Sequence, residues 1–286
     1  MANKDVFDEE DVQRINSEYE SLVSNLIRCN KPGDKELIEK AFSIANEAHW
    51  NMRRKSGEPY VIHPICVARI VNQEIGLGAR SIAAALLHDV VEDTDYSLND
   101  IEKEFGSKIA SLIDGLTKIS GTYNKETSTS MQAENFRKML LTLSDDLRVI
   151  LIKIADRLHN MRTLESMPEH KQMKIAGETI FLYAPLAQRL GLYAIKSELE
   201  DLSFKFRQPQ IYDEIMSKLK HSEKKNIALI NKFSLPVIQK LTEAGFQFDI
   251  SGRPKSVFSI WKKMQAKNVP FEEIYDVLAV DRKSVV

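Results

Sequence analysis

From Asp11 to about Leu202 the apolar residues recur at three- and four-residue spacing, the period of helices that bury one face. Short Gly- and Pro-bearing breaks punctuate the pattern at Lys31-Pro32-Gly33-Asp34, Ser56-Gly57-Glu58-Pro59, Gly76-Leu77-Gly78 and Ser166-Met167-Pro168. Asp34 is placed to cap a helix over Lys35 to Arg53, with His49 and Trp50 packing inside or near a site mouth. Ile82-Ala83-Ala84-Ala85-Leu86-Leu87 is rich in strong helix formers, so one helix is predicted to continue through Asp93. Val149 to Leu164 reads as a long apolar helix with a polar stripe, and Gly121 to Ser130 as a polar, weakly patterned loop. Further on, Phe206-Arg207-Gln208-Pro209 ends one helix and a long charged amphipathic helix follows through His221-Ser222-Glu223-Lys224-Lys225. Phe246 to Gly252 alternates like a strand and leads into a helix at Lys255. The pattern contains no internal repeat or heptad array.

Chemistry enters at His88-Asp89-Val90-Val91-Glu92-Asp93. Residues three and four apart share a helical face, so His88 would lie beside Glu92, and Asp89 beside Glu92 and Asp93. Three carboxylates that close raise one another's pKa unless a cation compensates them. A solvated acidic helix end is the bland alternative, and the apolar neighbours Leu86-Leu87 and Val90-Val91 argue against it. Two further places supply ligand types. His63 precedes Pro64, which can occupy the first turn of a helix, so His63 is held at a rigid helix start. Asp156, Asn160 and Thr163 fall at i, i+4 and i+7 of the long apolar helix, where an aspartate is costly unless paired or coordinated. A satisfied buried histidine is the alternative for His63, and a salt bridge to Arg157 or Arg162 for Asp156. Taken as one set, His63, His88, Asp89 and Asp156 offer two imidazoles and two carboxylates, which suits Mn²⁺, Fe²⁺ or Zn²⁺.

The ligand order His, His-Asp, Asp is the signature of the HD superfamily of metal-dependent phosphohydrolases, and one branch matches much further. Arg54-Lys55-Ser56-Gly57-Glu58-Pro59-Tyr60 with His63-Pro64, His88 to Thr94, Gln132-Ala133-Glu134-Asn135-Phe136-Arg137-Lys138-Met139, Lys153 to Leu164, and Tyr183 to Gly191 resemble the hydrolase half of the RelA/SpoT family over roughly residues 40 to 205. Those enzymes make and destroy the alarmones ppGpp and pppGpp. Ser251-Gly252-Arg253-Pro254-Lys255-Ser256 is similar to the start of the family's synthetase domain, and Tyr275 to Val280 to its next strand. Asp281 then precedes Arg282, where the family places an arginine directly.

The resemblance implies an all-α HD hydrolase domain over residues 1–200, a helical connector over 201–240 and an incomplete α+β synthetase fragment over 241–286. It implies Mn²⁺ held by His63, His88, Asp89 and Asp156, and catalysis by Glu92 and Asp93, with the division of acid and base between them open. Arg54, Lys55 and Ser56 would contact the guanine and neighbouring phosphates, Asn160 and Thr163 would face the nucleotide, and Arg253 and Lys255 would be the remnant of an ATP site. The activity implied is hydrolysis of the 3′-pyrophosphate of ppGpp and pppGpp to GDP or GTP. Synthesis and starvation sensing are expected to be absent, because the chain stops before the later synthetase residues and the regulatory domains that contact the ribosome. The alternative is an alarmone-binding module or an autoinhibited fragment without turnover. The intact His-Asp and Glu-Asp clusters weigh against it.

Composition changes this picture little. Lys+Arg 40 against Asp+Glu 41 leaves a net charge of -1, so no global basic field points to nucleic acid, and anion capture falls to Arg54 and Lys55. Arg53, beside them, reads as a solvated charge. Cys29 and Cys66 are too few for a disulfide framework or a zinc knuckle, and no signal peptide or membrane-length apolar run is apparent. A cytoplasmic enzyme without membrane partners is expected.

Overall fold

Asp8 starts the first helix by accepting from the Asp11 amide at 2.8 Å, while the Asp11 carboxylate accepts from the Asp8 amide. This reciprocal cap satisfies two of the donors that a helix start leaves unpaired. The computed structural model describes residues 7–120, 146–274 and 277–284. The polar stretch Gly121–Ser130 and the Gln132–Met139 motif lie outside them. The chain divides into two units, Met1–Gln172 with Pro185–Ile195, and Met173–Ala184 with Lys196–Val286.

In the first unit the helices are α1 (Glu9–Ser24), α2 (Asp34–Ala48), α3 (Ile62–Arg69), α4 (Ala79–Leu86), α5 (Val90–Asp93), α6 (Leu98–Phe105), α7 (Ser107–Ser120) and α8 (Leu147–Arg162). α3 and α4 are buried on nearly every side, and α8 buries the unbroken run Val149 to Ala155. A helix apolar all round belongs in the middle of a bundle. Accordingly α3 packs against α1, α4 and α8, and α4 against α2, α7 and α8. Each central helix delivers one chemically active residue, His63 in the first turn of α3, His88 just beyond α4, and Asp156 within α8.

Four expectations need correction. The helix through His88 is not continuous: α4 ends at Leu86 and residues 87–89 form a turn before α5. Leu87 and His88 are both fully buried, and the turn leaves His88 with Nδ1 on the Ala85 carbonyl. The next helix back also differs, because α2 begins at Asp34 behind Gly33 (φ 86) and ends at Ala48, five residues short of Arg53. The Asp34 carboxylate accepts from the Lys31 amide instead of capping α2. After α2, Asn51 turns the chain in the left-handed region (φ 62) and a backbone bridge joins Arg53 to Pro59. Gly57 (φ 89) closes that loop by donating to the Arg54 carbonyl at 2.9 Å. Arg53 is not a solvated charge: it donates to Asp11 and to the Gly57 carbonyl, pinning the loop to α1. His49 is fully buried and Trp50 is 47% exposed.

α9 (Glu169–Glu178) spans the boundary between the units, and α10 (Ala184–Arg189) begins at it. The second unit holds α11 (Tyr193–Arg207), α12 (Pro209–His221), α13 (Glu223–Glu243), β1 (Phe248–Pro254), α14 (Val257–Lys267) and β2 (Leu278–Ser284). The long amphipathic helix expected here is two helices, broken at Ser222. β1 and β2 pair antiparallel with Phe248 opposite Ser284. The core of this unit is Phe204, Ile215, Leu219, Val257, Phe258 and Ile260, with Phe204 and Trp261 rings 4.9 Å apart. Asp201 accepts from the Val257 and Phe258 amides and so caps α14.

Ile154 is fully buried on α8, beside the polar face that carries Asp156. Ile154→Ala is expected to cost about 2–5 kcal/mol of stability and Ile154→Val about 0.5–1.5, read as the shift of the urea transition of the first unit.

Candidate metal centre and active site

His63 and His88 turn their Nε2 atoms toward one another's neighbourhood because their Nδ1 atoms are engaged elsewhere. His88 Nδ1 lies 2.8 Å from the Ala85 carbonyl, which can only accept, so Nδ1 carries the proton and Nε2 keeps its lone pair when the ring is neutral. His63 Nδ1 lies 2.7 Å from His159 Nδ1. Asp156 Oδ1 reaches to 3.3 Å from His63 Nε2 and 3.8 Å from His88 Nε2. The ligand atoms of His63, His88 and Asp156 all fall within 4.8 Å of one another. Asp89 Oδ2 joins from the side, 3.1 Å from His88 Nε2 and 3.7 Å from His63 Nε2.

These residues fit a divalent metal ion. His88 Nε2 is fully buried with Asp89 Oδ2 at 3.1 Å and Asp156 Oδ1 at 3.8 Å, so the lone pair of a neutral ring would face two carboxylates, an expensive arrangement without a cation between them. A mixed set of neutral imidazoles and carboxylates is the donor chemistry of Mn²⁺, Fe²⁺ and Zn²⁺. The electrostatics agree. Burial pulls His88 down, but the Asp89 and Asp156 carboxylates outweigh it and hold the metal-free ring up to about 9. Asp89 and Asp156 are held below the usual carboxylate range: burial opposes this, and it is outweighed for Asp89 chiefly by His88 and for Asp156 by the His63 contact and Lys153. Burial keeps His63 below the ordinary histidine value, hence neutral and able to ligate.

From this centre two polar chains lead outward. Asn160 Nδ2 donates to Asp156 Oδ1 at 2.7 Å, and Asn160 Oδ1 accepts from Arg54 Nη2 at 2.7 Å. Arg54 Nη1 donates to Thr163 Oγ1 at 3.2 Å, and Glu58 lies 3.8 Å away. Arg54, Asn160 and Thr163 are therefore brought together with the candidate ligands, although 106 positions separate the first two. The second chain runs through Tyr60, whose hydroxyl is 2.8 Å from both Asp89 Oδ2 and Asp93 Oδ2. A hydroxyl has one proton, so it donates to one carboxylate at a time. Burial, and then the same two carboxylates, push the Tyr60 phenol upward, which keeps it a donor. Its ring stacks on His49 at 4.7 Å.

Glu92 and Asp93 are exposed at the rim on α5, and Lys55 and Ser56 are exposed on the Gly57 loop. Arg253 and Lys255 stand apart in the second unit, at the end of β1 and before α14, where the Lys255 amide donates to the Val277 carbonyl. Arg162 pairs with Glu74 and leaves Asp156 to the cluster. Sequence reasoning missed His159, Lys153 and the bridging role of Tyr60. The signals present were a histidine three residues after Asp156 and a tyrosine three residues before His63.

A family model described as HD domain matches residues 41–193, more than half of the chain. The chain belongs to the HD-domain family. Its relatives bear out the RelA/SpoT resemblance. It is 45% identical over 249 residues to the GTP pyrophosphokinase of Myxococcus xanthus, covering 86% of this chain and 33% of that protein. It is 41% identical over 273 residues to the guanosine-3′,5′-bis(diphosphate) 3′-pyrophosphohydrolase of Aquifex aeolicus (95% and 37%), and 42% identical over 262 residues to the bifunctional (p)ppGpp synthase/hydrolase SpoT of Escherichia coli (91% and 37%). The HD-domain chain thus spans about a third of the length of the curated relatives it matches. Among its described residues no helix is long and apolar enough to cross a membrane.

Metal uptake should release a proton. The raised His88 proton must leave before Nε2 can coordinate, whereas His63 is already neutral and both aspartates already ionised. Apparent affinity for a divalent metal ion should therefore rise about tenfold per pH unit from pH 7 and flatten above about 9, as titration calorimetry at several pH values would register.

Proposed function

We propose that this HD-domain chain hydrolyses the 3′-pyrophosphate of ppGpp and pppGpp, giving GDP or GTP and pyrophosphate, with Mn²⁺ held by His63, His88, Asp89 and Asp156. The observation that carries the reading is the buried His88 Nε2 facing the Asp89 and Asp156 carboxylates, with Asp156 tied through Asn160 to Arg54 on the substrate loop. The named activities of the Aquifex aeolicus and Escherichia coli relatives support the choice of substrate. A divalent ion at this place would neutralise phosphate charge and lower the pKa of a coordinated water from about 15.7 towards 7.

The remaining work falls to the chain's own side chains. In the overall reaction a water oxygen bonds to the phosphorus attached to the ribose 3′ oxygen, the bond between them breaks, and the 3′ oxygen takes up the water's second proton. Glu92 and Asp93 stand at the rim with carboxylates open to substrate and serve as the acid and base pair. Tyr60, whose hydroxyl is within reach of both and donates to one at a time, links the Asp93 carboxylate to the ligand Asp89. Arg54 is held flat by Asn160 and Thr163, and its planar guanidinium suits stacking on a purine and gripping phosphate. Lys55 and Ser56, exposed beside it, add a point charge and a hydroxyl.

Residues 1–200 are then the hydrolase domain, 201–240 a connector, and 241–286 the beginning of a synthetase domain in which Arg253 and Lys255 match ATP contacts. We place the reaction in the cytoplasm, where Cys29 and Cys66 would remain the free thiols they are here.

The test is release of GDP and pyrophosphate from ppGpp by the purified chain with Mn²⁺ and after chelation. Asp89→Ala should abolish turnover. Glu92→Gln should keep metal and lose about 100- to 10,000-fold in rate, the usual scale of a general acid or base. Binding of ppGpp without release by the wild-type chain would replace hydrolysis with a binding role, and normal turnover in both variants would overturn the site.

A further inference from the structure

His159 lies outside the four candidate ligands, yet it is buried against one of them, with Nδ1 2.7 Å from His63 Nδ1. A bond between two ring nitrogens at that distance holds one proton, so one ring donates and the other accepts. Two arrangements are possible and they have opposite consequences. If His159 donates, His63 Nδ1 is the acceptor and the neutral His63 ring carries its own proton at Nε2, pointing an N–H at Asp156 Oδ1, 3.3 Å away. That satisfies the metal-free site and blocks coordination. If His63 donates, its Nε2 lone pair faces the carboxylates, an arrangement that only a cation satisfies.

A second neighbour chooses between them. Arg54 Nη1 lies 3.4 Å from the same His159 Nδ1, and a guanidinium has only N–H groups to offer. A proton on His159 Nδ1 would face that cation donor to donor, whereas a lone pair there receives it. Arg54 thus favours His159 as the acceptor and His63 as the donor.

We infer that His159 is a positioning residue that holds His63 in the tautomer able to bind metal, and that Arg54 of the substrate loop biases this choice through the shared Nδ1. The inference rests on the metal reading of the cluster. It deepens that reading, because the loop that would grip the nucleotide and the ring that would grip the ion share one acceptor atom. Binding at one is then linked to the other, and linkage of this kind is reciprocal.

Zn²⁺ is a diamagnetic probe for the test on the full chain. Long-range proton–nitrogen correlation spectra of the Zn²⁺-loaded protein should show His63 protonated at Nδ1 and His159 protonated at Nε2 alone. Zn²⁺ affinity should fall about 10- to 100-fold in His159→Leu, which keeps bulk but offers no acceptor, and stay within about threefold in His159→Asn, whose amide oxygen can replace Nδ1. Thermal melts establish that the variants are folded, and a purely structural role would move both alike. A proton on His159 Nδ1, or wild-type affinity in a folded His159→Leu, would overturn the inference while leaving the metal centre standing. No Zn²⁺ binding by the wild-type chain would overturn the metal reading itself. If neither variant folds, the wild-type spectrum decides.

Discussion

An aspartate buried in the middle of an apolar helix must be compensated, and much of the first unit is arranged around that requirement. Asp156 sits on α8 directly after the buried run Val149 to Ala155, with its side chain only 17% exposed. Its oxygens meet two imidazole nitrogens, the Asn160 amide and, at 3.8 Å, the Lys153 ammonium. An uncompensated carboxylate in such surroundings would shift its pKa upward and neutralise. Here the neighbours push the other way and keep Asp156 ionised, with the His63 contact, Lys153 and the raised His88 sharing its compensation.

The compensated carboxylates are tied outward by short bonds between distant segments. Asn160 links Asp156 to Arg54, and Tyr60 links Asp89 to Asp93. Each relay joins a candidate ligand to a group beyond the cluster. The loop from His49 to Tyr60 is held in place for this by the Arg53 contacts with Asp11 and the Gly57 turn. Positioning residues with locked partners are what keep a catalytic set within the small tolerance that chemistry allows.

Much of this was legible in the sequence, because residues that are costly to bury announce themselves inside apolar runs. His63 before Pro64, His88-Asp89 behind an alanine-rich helix, and Asp156 on an apolar helix all stand out on that ground, and the structure brings them together. The break at residues 87–89 was hidden for the converse reason, since Leu87 and its alanine-rich neighbours are good helix formers and nothing in the local sequence marks a turn. His159 was invisible for another: its partner His63 is 96 residues away, and helical spacing shows the face a residue shares within its own helix and not the ring it meets across the core. Tyr60 was read as part of a motif and gained a role only when α5 placed Asp93 beside Asp89. The interleaving of the two units, with 173–184 leaving the first and 185–195 returning to it, has no counterpart in composition or periodicity.

The central claim, that His63, His88, Asp89 and Asp156 form one metal centre, is tested most directly by anomalous X-ray diffraction from crystals grown with Mn²⁺. The account predicts a single strong anomalous peak per chain, within coordination distance of His63 Nε2, His88 Nε2 and the Asp156 carboxylate. A peak held only by surface carboxylates, or none at this cluster under saturating Mn²⁺, would contradict it.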